Sequence, residues 1–135
     1  MNQKETIEKY KNQSISYFEN ALVAMEAGEA EKTGELLWGS MIQALKAMAA
    51  SEGKKITKYG REEAYARELA KRLGDESIFD VFGSAKYLHG RYYEAGLSME
   101  EVYAYAERIR AVVGKLLSLV AEAAENRQVG RKGEK

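Results

Sequence analysis

The chain has 135 residues, the size of one domain with a single hydrophobic core. Its 21 Lys and Arg balance 21 Asp and Glu and 45% of its residues are hydrophobic, which excludes a disordered polyelectrolyte and a strongly basic nucleic-acid binder. The lack of cysteine excludes disulfides and thiolate metal sites, and the lack of proline favours long helices. No segment has the length and apolar character of a signal peptide or a membrane span, so we expect a soluble, cytoplasmic protein.

Four glycines divide the chain into helical segments, because glycine accepts the left-handed conformation found just past a helix end. These glycines are Gly28, Gly53, Gly74 and Gly96. Between them apolar residues recur at steps of three and four, which is typical of amphipathic helices. The pattern predicts five helices, over residues 4–27, 30–51, 61–73, 77–95 and 98–126.

These helices predict an all-α fold: an up-and-down bundle of four main helices plus a short extra helix, in a single domain of residues 1–126. Ser98 and Glu101 have the spacing of a capping box at the start of the last helix. Residues 127–135 are basic, contain glycine and show no helical period, so we expect a disordered tail.

The charge balance is global and not local. Residues 1–52 carry five positive and eight negative side chains, whereas residues 53–74 carry seven and three. The loop before the third helix is therefore a candidate contact for nucleic-acid phosphates, and the alternative is an ordinary solvated surface. The candidate residues are Lys54, Lys55, Lys58 and Arg61.

Two glycines inside the fourth helix also need a reason, since glycine costs roughly 1 kcal/mol relative to alanine in a helix. Gly83 and Gly90 are seven residues apart and lie on one side of the helix. They predict a place where another backbone approaches closely, either within the chain or across a dimer interface.

His89 is the only histidine, so any imidazole catalysis depends on it. At about 100° per residue it shares a helix face with apolar residues, which directs it toward the core or a partner. A packing role and a role as acid or base both fit this position.

Trp38, beside an apolar stripe, is predicted to lie in the core. A third possibility is a small-ligand pocket lined by aromatic and imidazole side chains, for which the candidates are Trp38, Tyr87, His89 and Tyr92.

Common enzyme signatures are missing. A carboxylate-bridged metal site in a bundle uses Glu three residues before His, but residue 86 is Lys and there is no second His. The phosphate-binding loop of nucleotide hydrolases and the glycine-flanked serine of hydrolases are also missing. We therefore expect no metal and no cofactor.

Two segments resemble a known family: residues 27–47, AGEAEKTGELLWGSMIQALKA, and residues 87–102, YLHGRYYEAGLSMEEV. They resemble the archaeal PaREP family, which is itself similar to the HEPN superfamily of helical bundles. The resemblance implies a bundle of four main helices with a short extra one, usually paired as a homodimer.

Many HEPN proteins are metal-independent ribonucleases of toxin–antitoxin or defence systems, with a motif of Arg, four to six residues and then His. This motif often has a Tyr two residues before the His, and Tyr87 and His89 match these two residues. The Arg does not match, because positions 84, 83 and 82 hold Ser, Gly and Phe. Without a guanidinium on the scissile phosphate, cleavage loses its main electrostatic stabilisation.

The sequence thus favours a non-catalytic, dimeric binding module for protein or nucleic acid. The alternative is a divergent ribonuclease that uses His89, with Tyr87 nearby and with Lys86 or a basic group of a partner chain in place of the missing Arg.

Overall fold

The computed structural model describes residues 1–56, 60–92, 94 and 96–133, with the backbone alone at 131–133. All regular structure in these ranges is α-helical, as predicted. The five helices are α1 (Gln3–Glu26), α2 (Ala30–Ser51), α3 (Arg61–Leu73), α4 (Ser77–Arg91) and α5 (Met99–Gly133).

The predicted helix ends agree closely with the structure at the glycine breaks. Gly28 and Gly74 have φ of +76° and +64°, the left-handed conformation that ends α1 and α3. The start of α5 is capped by Ser98, whose Oγ accepts the N–H of Glu101 at 3.1 Å and whose hydroxyl donates to the carboxylate of Glu101 at 3.2 Å. The predicted Ser98 cap is confirmed, and Glu101 reaches back to the Ser98 hydroxyl.

The last two helices differ from the prediction. Helix α4 ends at Arg91 and not at 95, although residues 93 and 95 lie outside the described part of the chain. Helix α5 continues to Gly133, beyond its predicted end at residue 126. The disorder predicted for residues 127–135 stays a prediction, and residues 134–135 lie outside the description. Arg127 contributes to this extension, because its guanidinium donates to the carbonyl of Ser51 at 3.2 Å.

Helix α2 is the centre of the bundle. Within the described residues it contacts each of the other four helices, and 13 of its 22 residues are buried. Four of the 24 residues of α1 are buried, because α1 packs mainly on α2 alone. The remaining core comes from the apolar stripes of α3, α4 and α5 that face α2.

Helices α1 and α2 are joined by a buried pair of serines. The Ser14 hydroxyl donates to the carbonyl of Ser40 at 2.8 Å, and the Ser40 hydroxyl donates to the carbonyl of Ser14 at 2.9 Å. Both side chains are fully buried, and these bonds satisfy their polar atoms. The reciprocal pair fixes the register of the two helices.

The interior glycines fall into two groups. A Cβ on Gly34 would lie 3.2 Å from the Cβ of Leu88, so the glycine allows α4 to approach α2 closely. A Cβ on Gly83 or Gly90 would meet no described atom within 4 Å. Close packing within the described chain therefore does not explain Gly83 and Gly90.

Searching the described ranges finds no helix with the length and hydropathy needed to span a bilayer.

Candidate functional site

The close approach of α4 to α2 at Gly34 brings His89 to the surface of α2. The Nδ1 atom of His89 lies 2.8 Å from Oε2 of Glu35. The imidazole also stacks on the indole of Trp38, with ring centroids 5.0 Å apart and planes 18° apart. Phe82, two turns earlier on α4, also packs against Trp38, with the ring centroids 5.5 Å apart.

The Glu35 carboxylate fixes the orientation of His89. An ionised carboxylate only accepts hydrogen bonds, so Nδ1 of the imidazole is the donor. Any proton transfer by His89 would then use Nε2. The same arrangement also suits a purely structural contact between two helices, because the hydrogen bond and the stacked rings both join α4 to α2.

His89 and Trp38 are less buried than the sequence predicts. The His89 side chain keeps 39% of its exposure, and the side chain of Glu35 keeps 32%. Trp38 is half-buried at the edge of the core and not inside it. Both residues lie where α2 and α4 pack together, at the boundary between the core and the solvent-exposed surface.

Glu35 was missed by the sequence analysis. Its position three residues before Trp38 places both side chains on one face of α2, which is the one local signal that could have suggested it. The partner, His89, lies 54 residues later. Only the packing of α4 on α2 shows that the two residues meet.

The other aromatic candidates lie elsewhere. The Tyr87 hydroxyl donates to the Glu101 carboxylate at 3.3 Å, and its ring packs near Tyr105 of α5 with centroids 5.7 Å apart. Tyr92 is exposed just past the end of α4. Of the four residues predicted to line a small-ligand pocket, the structure brings Trp38 and His89 into contact and directs Tyr87 toward α5.

Cations near His89 are engaged by carboxylates. Lys86 pairs with Glu63 of α3 at 3.2 Å. Arg91 pairs with Glu94 at 2.9 Å. A phosphate beside His89 would therefore have to compete with an existing carboxylate for either cation.

A hydrogen-bonded cluster at the opposite end of α2 holds α3 in place. The carboxylate of Glu52 accepts hydrogen bonds from the hydroxyl of Tyr65 and from both terminal nitrogens of Arg72, at 2.5 and 2.9 Å for Arg72. Partial burial acts to raise the pKa of Glu52, but the bonds from Arg72 and Tyr65 outweigh it and lower that pKa. Tyr65 is 3% exposed, and its pKa is raised by burial and by the Glu52 carboxylate.

The loop cations lie beside this cluster. Lys54 pairs with Glu68 at 3.0 Å. Lys55 and Arg61 are exposed, and no carboxylate of the described residues forms an ion pair with either. Lys58, the fourth predicted contact, lies outside the described residues.

A search of the described ranges finds no group of three or more His, Asp or Glu arranged to hold a metal ion.

The fold and these two regions define a small all-α protein, a five-helix bundle built around α2. The chain belongs to the archaeal PaREP1/PaREP8 family, whose family model matches residues 9–113. The match runs from α1 into α5, so it includes both the His89 contact and the loop cations, and it confirms the family expected from the two segments. No curated protein matches the chain.

Proposed function

We propose that the protein is a non-catalytic, HEPN-like helical bundle that acts in the cytoplasm as a homodimeric binding module, with nucleic acid as its ligand. The resemblance of residues 27–47 and 87–102 to HEPN-type sequences supports the superfamily assignment. The antiparallel hairpin of α1 and α2, with three further helices around α2, fits such a bundle.

The cations near His89 and those near the loop before α3 differ in their pairing with carboxylates, and this difference supports binding over catalysis. The cations next to His89, Lys86 and Arg91, each pair with a carboxylate. In the described part of the chain, Lys55 and Arg61 have no such partner. Cations that are not neutralised by carboxylates contribute most to phosphate binding, so Lys55 and Arg61 suit that role better than Lys86 and Arg91 do.

A ribonuclease is the second candidate, and the Glu35–His89 contact favours it. A carboxylate on Nδ1 holds the imidazole in one tautomer and orientation, which is an arrangement used in general acid–base catalysis. The geometry lacks an unpaired cation among the described neighbours of His89, and a phosphorane needs one for its developing charge.

Homodimer formation is supported by the open glycine face of α4. Gly83, Tyr87 and Gly90 lie at steps of four and three on one side of the helix, and Tyr87 is 43% exposed. A second copy of α4 can approach such a face closely because the glycines carry no side chain. Replacing both glycines by leucine should convert the dimer to monomers in analytical ultracentrifugation at micromolar concentration. A wild-type protein that is strictly monomeric there would contradict the dimer.

The experiment that tests the function measures binding and cleavage of RNA in one sample. Labelled single-stranded RNA is incubated without added metal with the wild-type protein, with His89→Ala and with the double variant Lys55→Ala/Arg61→Ala. Lys32→Ala is the matched control, because Lys32 is exposed at the other end of α2 and pairs with Glu29 at 3.5 Å.

We expect binding without cleavage, and a loss of roughly tenfold in affinity for the loop variant alone. Cleavage that disappears in His89→Ala would show a ribonuclease. Absence of RNA binding by the wild-type protein would overturn nucleic acid as the ligand and leave a protein partner as the better account.

A further inference from the structure

A small recess between α1 and α2 gathers three lysines. It has a volume of about 200 Å³ and lies beside Tyr10 of α1, Lys46 of α2 and the segment that follows α2 with Lys54 and Lys55. Pockets for drug-sized ligands usually measure about 300–1,000 Å³, so this recess suits a small anionic group and not a whole nucleotide. Lys46 was not singled out by the sequence, because it lies in a segment whose net charge is negative.

The charge of the recess is only partly neutralised. Lys54 pairs with Glu68 at 3.0 Å, and Glu68 also lies 3.9 Å from Arg72. Lys46 has no carboxylate partner among the described residues; its ammonium lies 5.9 Å from the centre of the Tyr10 ring. Lys55 also has none in that part of the chain. The recess therefore carries a net positive charge.

The end of α2 does not cancel this charge. Helix C-termini repel anions through their unsatisfied carbonyls. Here the carbonyl of Ala49 accepts the N–H of Lys54 at 2.8 Å, and the carbonyl of Ala50 accepts the side-chain amide of Gln3 at 3.0 Å. Because these oxygens already accept hydrogen bonds, they present less negative charge to the recess than free terminal carbonyls would.

A second concavity adjoins the first. This cleft has a volume of about 410 Å³, shares Lys54 and Lys55 with the recess, and adds Arg61 from the first turn of α3. Arg61 forms no ion pair with the described carboxylates, and its planar guanidinium suits bidentate contact with a phosphate. Besides the shared Lys54 and Lys55, each concavity thus has one further cation that pairs with no described carboxylate, Lys46 in the recess and Arg61 in the cleft.

We infer that this double concavity binds successive phosphates of single-stranded RNA, one held by Lys46 and Lys55 in the recess and a neighbouring one by Arg61 in the cleft. The inference rests on the proposed nucleic-acid function and adds a location and a new contact, Lys46. A single strand fits better than a duplex, because its flexible backbone can place successive phosphates in two adjoining concavities.

The test uses the full chain and a 12-nucleotide single-stranded RNA carrying a fluorescent label, with affinity measured by anisotropy from low to high salt. The variants are Lys46→Gln, Lys55→Gln and Arg61→Gln. Lys32→Gln is the control; it lies on the same helix as Lys46, 14 residues or about 21 Å away. Circular dichroism melting checks that each variant folds.

Each of the three variants should weaken binding by roughly three- to fivefold and should reduce the slope of log affinity against log salt by about 0.7, as expected for one lost phosphate contact. The control should change neither quantity. RNA binding that is equal in Lys46→Gln and Lys32→Gln would overturn the inference while leaving the proposed function intact.

A second arm uses inorganic phosphate, read as the rise in melting temperature over sodium chloride at equal ionic strength. One outcome combines two results: the wild-type protein binds no RNA, and phosphate raises its melting temperature but not that of Lys46→Gln. This outcome would show an anion site that takes small phosphates, and it would overturn both the polymer ligand and the proposed function. No RNA binding and no phosphate effect would refute the site altogether.

Discussion

Removing one hydroxyl group tests how α3 is held against α2. Tyr65→Phe deletes the hydrogen bond from the Tyr65 hydroxyl to the Glu52 carboxylate and leaves the ring in place, so no cavity forms. This contact joins the end of α2, which is followed by Lys54 and Lys55, to α3, which begins at Arg61. The substitution therefore probes the support of the proposed binding surface.

The magnitude follows from the charge of the acceptor. A hydrogen bond to an ionised group contributes about 1.5–3 kcal/mol to stability. The lower end applies here, because Glu52 keeps both of its bonds to Arg72 in the variant. We expect a loss of about 1.5 kcal/mol in the free energy of unfolding, which corresponds to about 6 °C in melting temperature for a domain of this size.

The pH dependence provides a sharper check. Burial and the nearby carboxylate raise the pKa of Tyr65 in the folded protein, so the phenol stays neutral when the unfolded chain ionises near pH 10. A group with a raised pKa contributes stability that is complete below the unfolded pKa and is lost as the pH rises above it. Tyr65 should lose about 1.4 kcal/mol by pH 11, so the advantage of the wild type over Tyr65→Phe should nearly vanish there.

The assay is urea unfolding of both proteins at pH 8 and pH 11, followed by far-ultraviolet circular dichroism. Tyr103→Phe is the control, because Tyr103 is 52% exposed and makes no hydrogen bond to the described residues. Equal stabilities of the wild type and Tyr65→Phe at pH 8, or a difference that stays constant to pH 11, would refute the reasoning.

Three other substitutions have defined outcomes. Gly34→Ala should destabilise the fold by about 1 kcal/mol in denaturant unfolding, because its Cβ would lie 3.2 Å from the Cβ of Leu88; unchanged stability would show that α4 shifts at no cost. Gly83→Ala should raise the unfolding free energy of the monomer by about 0.5–1 kcal/mol through helix propensity, and destabilisation would argue against the open position of this glycine. The hydrogen bond from Lys115 lowers the pKa of Asp75 to about 2. Asp75→Asn should therefore cost up to about 1 kcal/mol at neutral pH, a difference that declines as the pH falls from about 4 to about 2 in acid titrations; a difference that does not depend on pH would contradict the ion pair.

The candidate site could be predicted only in part. Lys54, Lys55 and Arg61 stand out because their segment has a local excess of positive charge, which is a property of the sequence alone. Whether a lysine remains available depends on its neighbours in space, and the structure shows that Lys54 pairs with Glu68 while Lys55 pairs with no described carboxylate. Lys46 joins the group because it lines the same recess, which Thr6 and Tyr10 of α1 also line.

The helices themselves were determined by the sequence. Glycine at the breaks, apolar residues at steps of three and four, and the Ser98–Glu101 cap act within a few residues, so they can be recognised without the fold. The ends of α4 and α5 were exceptions. Helix α4 ends at Arg91, before the predicted residue 95. The last turns of α5 lack the apolar period, yet the chain stays helical to 133, with Arg127 bonded to Ser51 at the end of α2.

The tertiary structure alone decided which side chains meet. The pairs Glu35–His89, Lys86–Glu63 and Tyr87–Glu101 join different helices, and helical periodicity gives only the face on which each residue lies. A partner across the bundle depends on the distance and the angle between two helices. At α2 and α4 these are set by the missing side chain of Gly34, which lets Leu88 approach and places His89 on Glu35.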